Sequence, residues 1–270
     1  MSVTADPNGA TPAVAFEDPE ARSVRLQGAP FWAAFVLSSV GIFVSVNQIF
    51  NLGLFGFRPV STGYYYLMIG LFLAVGFLAF PARKGQLAVR WYDWALAFTV
   101  LASSVWMLVN AQQIIDRGWN LSAPLGPTLL AGLYVVLALE GLRRTGEWIL
   151  FVFCLIIAAY PLYASYMPGF LWGVQLDLAQ TVTEHTYGLE SIIGIPMQVV
   201  TDTLVGFIIF GVILANTGGG AFFMDFAASV LGRARGGPAK VAIFSSGMFG
   251  MLSGSPTSNV LTTGTITIPT

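Results

Sequence analysis

The chain has 270 residues, of which 56% are hydrophobic and 9% charged, with a formal net charge of −1 and a mean hydropathy of +0.74. Soluble domains run at roughly 45–50% apolar and about 25% charged residues, so this composition excludes a water-soluble globular fold. It predicts an all-α integral membrane protein lying in a lipid bilayer; no nucleic-acid partner is expected.

In chain order, Met1 to Gln27 carries charges between Pro, Asn, Gly and Thr. It reads as a disordered cytoplasmic tail, assigned to 1–29. The first apolar run begins near Pro30, too late for a cleavable signal peptide. Uncharged windows come next at Phe31–Phe57, Pro59–Ala82, Trp94–Ile115, Gly118–Leu139, Trp148–Leu176, Thr203–Met224 and Val241–Thr270. About 20 helical residues cross a hydrocarbon core of roughly 30 Å, so each window is long enough. The expectation is about six full transmembrane helices plus a re-entrant helical hairpin over 241–270. The first four windows group as a unit at 30–145, and a second module starts at 146–270.

Basic residues decide orientation, because translocated loops are poor in Lys and Arg. An N-terminus in the cytoplasm places Arg22, Arg25, Arg83, Lys84, Arg90, Arg143, Arg144, Arg233, Arg235 and Lys240 inside, and leaves Arg58 and Arg117 outside. The acidic loop Asp177 to Glu190, free of Lys and Arg, falls outside.

Three single residues invite a chemical reading. Cys154 lies in an apolar window, where a small buried thiol is ordinary. His185, the one histidine, is expected to be solvated on the outer loop. With no histidine in any window, neither a Ser-His dyad nor a His/Cys metal cluster can be assembled, so no catalytic residues and no enzyme activity are expected. Asp202 stands at the outer margin of the sixth window, where a solvated helix end competes with an intramembrane carboxylate for ion coupling.

The last window is interrupted. Val241 to Leu252 is apolar for twelve residues before Ser253-Gly254-Ser255-Pro256-Thr257-Ser258-Asn259, and twelve helical residues reach only about 18 Å. Ser255 with Pro256 fits an N-cap followed by a first-turn proline, so a second short helix should run through Val260 to Ile268. Broken helices in membranes are buried by protein or line a wet cavity, and in transporters their ends face substrate and coupling ions. A loop joining two ordinary helices is the competing reading.

Gly236-Gly237-Pro238-Ala239-Lys240, the Ser253-Gly254-Ser255 tip with Asn259, and Thr263-Gly264 to Ile268-Pro269 resemble the large permease subunit of tripartite ATP-independent periplasmic (TRAP) transporters. Phe207 to Gly218 and Phe222 to Gly232 resemble its early helix and the amphipathic stretch before its first hairpin. The four windows before Arg143 are similar in number and spacing to the small permease subunit fused in front, as in 4TM/12TM permeases paired with TAXI-type binding proteins. Pro256 and Ser258 depart from the small residues usual at the tip.

The resemblance implies a multi-pass permease of the bacterial inner membrane. It would import a carboxylate-bearing solute delivered by a periplasmic solute-binding protein, by sodium symport without any other cofactor. The small-subunit part would serve as scaffold, with the hairpin in a mobile transport module. Implied substrate- and sodium-binding residues are Ser253, Gly254, Ser255, Asn259, Thr262 and Thr263, with Ser255 and Asn259 as sodium ligands. Only one broken helix is present, and Pro269-Thr270 has no span after it, so a longer polypeptide is expected. A helical scaffold or assembly subunit that moves no solute remains the alternative.

Overall fold

The computed structural model describes residues 25–83, 86, 88–146, 148–233 and 235–253, and all regular elements among them are helical. In order they are α1 (Ala29–Ile49), α2 (Ser61–Ala79), α3 (Trp91–Asp116), α4 (Leu125–Thr145), α5 (Trp148–Ala158), α6 (Leu178–Tyr187), α7 (Ile195–Val199), a π turn (Val200–Leu204), α8 (Val205–Asn216), α9 (Gly219–Leu231) and α10 (Gly237–Ser253). Five stretches are long and apolar enough to cross a membrane: α1, α2, α3, α4 and Ile195–Leu214.

Helix α2 is the hub of the bundle, with Gly63 to Met68 buried without interruption. Lipid tails are as apolar as Leu, so helices associate in a membrane through close packing of small residues and through interhelical hydrogen bonds. A Cβ on Gly63 would stand 3.1 Å from that of Ala111, and one on Gly70 would stand 2.5 Å from that of Ser104. The two glycines are seven apart on α2 and their partners seven apart on α3, so the helices touch backbone to side chain along one seam.

The fifth window departs from expectation. Its helix, α5, has 11 residues, about 16 Å of rise against a core of roughly 30 Å. Pro161 and Pro168 cannot supply the backbone N–H groups that would continue it. Short 3-10 turns take over at Tyr160–Leu162, Ala164–Tyr166 and Gly169–Leu171. The Tyr160 hydroxyl donates to Leu171 O at 2.6 Å, and the Leu176 amide to Pro161 O at 3.0 Å. The window is therefore filled by a short helix and a hooked run of 3-10 turns rather than by one continuous helix.

The expected outer loop Asp177–Glu190 is also corrected, since it contains helix α6. Asp177 accepts from the Gln180 amide at 2.6 Å while the Gln180 side chain accepts from the Asp177 amide, which satisfies free N–H groups at the helix start. Thr181, Thr183, Thr186 and Tyr187 are buried, and the helix packs on the first turns of α4 and the connection before it. There Tyr187 donates to Pro127 O, Thr186 to Ala131 O and Asn120 to Glu184. Burial pushes the Tyr187 phenol up, so it stays neutral as a donor.

Candidate functional site

The hairpin expected to hold substrate and sodium is described only along its first arm. Helix α10 begins four residues before the apolar run, at Gly237, and is described to Ser253. It packs against α9, where Phe223 and Ala227 lie one turn apart and are both buried; Ser245 of α10 is buried as well and meets Met224. Gly254, Ser255, Asn259, Thr262 and Thr263 lie outside the described residues.

Two other polar constellations are set at opposite ends of the bundle. The first is an ion cluster around Asp93 in the opening turn of α3. Its carboxylate accepts from Arg25 at 2.9 Å, from Arg144 at 2.6 Å and from the Arg90 amide at 3.0 Å. Side chains of Asp93, Arg25 and Arg144 are 0%, 2% and 1% exposed. Arg25 also donates to the carbonyls of Leu78, Gln86 and Ala88. Glu140 accepts from both Arg143 and Arg144, one turn apart on α4. Arg25, which falls within the stretch 1–29 expected as a tail, is built into the bundle. These bonds gather the start of α1, the end of α2, the start of α3 and the end of α4 at one end, the arrangement that an alternating up-and-down path requires of the basic residues.

The second constellation joins the four-helix part to the later segment from α6 to the π turn. Three consecutive tyrosines of α2 donate across the seam: Tyr64 to Thr201 O at 3.2 Å, Tyr65 to the Asp202 carboxylate at 3.0 Å, and Tyr66 to Thr186 O at 2.8 Å. Thr201 and Asp202 sit in the π turn, where i→i+5 bonding widens the helix and frees a carbonyl from the regular ladder. Tyr64 supplies a donor to one of these carbonyls, and Thr201 turns its own hydroxyl back to Met197 O at 2.9 Å. Asp202 thus lies inside the stretch Ile195–Leu214 and not at a helix end. A cavity of about 260 Å³ opens beside it, lined by Gln48, Ile49, Ser61, Tyr64, Tyr65 and Asp202.

His185 is a correction as well: it is half-buried, with Nε2 at 2.8 Å from Ala158 O and Nδ1 at 2.8 Å from Ser191 Oγ. A carbonyl can only accept, so Nε2 carries a proton, and in the neutral ring Nδ1 receives the serine hydroxyl. The ring braces α6 against the end of α5.

A family profile described as the tripartite ATP-independent periplasmic transporter, DctM component, matches residues 133–270. The chain belongs to this DctM family. No curated protein and no solved structure matches the chain. The DctM match begins within α4 and covers α5 to α10 together with the polar tip residues, so the chain is a TRAP transporter permease component and a multi-pass membrane protein. Membership in a transporter family agrees with the expectation of a non-enzyme. Sequence reasoning missed the tyrosine run because Tyr counts as apolar, and missed Asp93 because a charge beside a window reads as a boundary mark.

Proposed function

We infer that this DctM-family permease imports a carboxylate-bearing solute, handed over by a periplasmic binding protein, by symport with sodium across the inner membrane. The family match over residues 133–270 carries the reading, because it includes the stretch with the Ser253 to Asn259 tip. Hydroxyl, amide and backbone oxygens of that kind suit a hard cation. The four helices up to 145 act as scaffold, the module from 146 onward carries the hairpin at 241–270, and the N-terminus is cytoplasmic. Ser253, Gly254, Ser255, Asn259, Thr262 and Thr263 line the substrate and sodium sites, with Ser255 and Asn259 ligating sodium.

The energetics suffice: one charge moved through 100 mV yields about 2.3 kcal/mol, so two or three net charges support roughly thousandfold accumulation or more. The test is uptake by the complete transporter with its binding protein in proteoliposomes, comparing an inward sodium gradient with choline. Sodium should drive uptake, and Ser255→Ala and Asn259→Ala should each weaken the sodium dependence. Equal uptake in choline would overturn the reading.

A further inference from the structure

Asp202 is a carboxylate seven residues inside Ile195–Leu214, about 10 Å from the start of that stretch at 1.5 Å per residue. The ion pairs among the described residues join Arg25, Asp93, Glu140, Arg143 and Arg144, and none involves Asp202. They lie at the far ends of α1 and α2 from Gln48 and Ser61. The Tyr65 hydroxyl donates to Asp202 at 3.0 Å, while the Thr201 hydroxyl, turned to Met197 O, stands 3.3 Å from the same carboxylate. A carboxylate offers about four acceptor positions, so part of its capacity is left free, and the exposed side chain borders the cavity. A charge at membrane depth without a counter-charge is costly, and intramembrane acids mark ion or proton paths.

We propose that the cavity bounded by Gln48, Ser61, Tyr64, Tyr65 and Asp202 binds a monovalent alkali cation, separate from the hairpin tip. One carboxylate balances one positive charge, whereas a divalent ion would leave an excess charge against apolar helices. Around it are neutral oxygens of the type hard cations take: the Gln48 amide, the Ser61 hydroxyl and the two phenols. At about 260 Å³ the cavity accommodates a cation together with several waters, each of which occupies about 30 Å³ in the liquid. The site also explains why the π turn is pinned twice. Tyr64 and Tyr65 hold Thr201 and Asp202 in register, so the carboxylate stays aimed at α1 and α2 even when the cavity holds only water.

The experiment reads the cavity directly and is independent of transport, so its failure is distinguishable from failure of the sodium-symport reading. Ile49, on the cavity wall, is replaced in an Ile49→Cys, Cys154→Ala permease in lipid nanodiscs. Modification by a small neutral maleimide is timed in sodium, in potassium and in N-methyl-D-glucamine at equal ionic strength. Sodium or potassium should slow modification at least threefold at pH 7.5, Asp202→Asn should abolish the slowing, and Ser61→Ala should raise the cation concentration needed several-fold. Equal rates in all three salts would overturn the proposal. So would slowing that survives Asp202→Asn, or slowing produced only by acidification, which would make the occupant a proton. If Asp202→Asn does not give monodisperse protein, Ser61→Ala and Tyr65→Phe decide; an unchanged cation requirement in both refutes the site.

Discussion

Replacing Asp93 with Asn removes one charge while keeping the shape of the side chain. The Asn oxygen can keep the Oδ2 position and with it the bond from the Arg90 amide, while its NH2 replaces the oxygen that accepts from Arg144. Arg144 retains Glu140, but Arg25 is left with neutral acceptors only, the Asn oxygen and the carbonyls of Leu78, Gln86 and Ala88. Removing one partner of a buried pair costs about 3–5 kcal/mol, chiefly because an uncompensated charge stays buried. At about 2–4 °C per kcal/mol for chains of 150–250 residues, the unfolding midpoint should fall by roughly 6–20 °C. Thermal unfolding in detergent, followed by tryptophan fluorescence, measures the shift, with Trp91 and Trp94 flanking Asp93. Adding Arg25→Met to Asp93→Asn should recover part of the loss, as deletion of both partners removes the stranded cation. A shift of under about 2 °C, or a double variant whose losses simply add, would refute the account of a paired buried cluster.

Tyr66→Phe should cost about 1–3 kcal/mol, because the buried Thr186 carbonyl loses its donor; unfolding midpoints would show it. Tyr64→Phe and Tyr65→Phe, nearer the cavity, should each cost less, about 0.6 kcal/mol. Gly70→Leu should destabilise by about 1–3 kcal/mol or more through collision with Ser104, read as reduced yield of monodisperse protein. For orientation, exposed Leu189, beside α6, is better than the braced His185. Leu189→Cys in a Cys154→Ala background should react with an impermeant thiol reagent in intact cells, and shielding there would reverse the assigned topology.

The first four spans were legible because charges stand at both ends of each apolar run, and lipid enforces that separation. The fifth window misled because absence of charge says nothing of proline: Pro161 and Pro168 end a helix without adding polarity. Helix α6 left a readable signal in Asp177-x-x-Gln180, a capping pair that an acidic-loop reading passed over. The buried cluster was hidden for another reason. Asp93 meets Arg25 and Arg144 from 68 and 51 residues away, and only the folded bundle shows that these charges neutralise one another rather than face water. Asp202 was seen in sequence, but the π turn that holds it beside Tyr65 comes from packing and has no local marker.

The tyrosine run has a consequence for how the protein is made. Tyr64, Tyr65 and Tyr66 find their acceptors 137, 137 and 120 residues later in the chain. At about 5–20 residues per second of synthesis, helix α2 precedes those acceptors by roughly 6–27 s. During that interval three phenol hydroxyls on a membrane helix depend on temporary partners, such as water at the bilayer surface or the insertion machinery. The N-terminal bundle is therefore an unfinished body when it leaves the ribosome, and residues 186–202 complete it. Ribosome stalling placed before Thr186, or early release of the chain, should yield four helices that are inserted yet sensitive to protease, with resistance appearing once the later segment arrives.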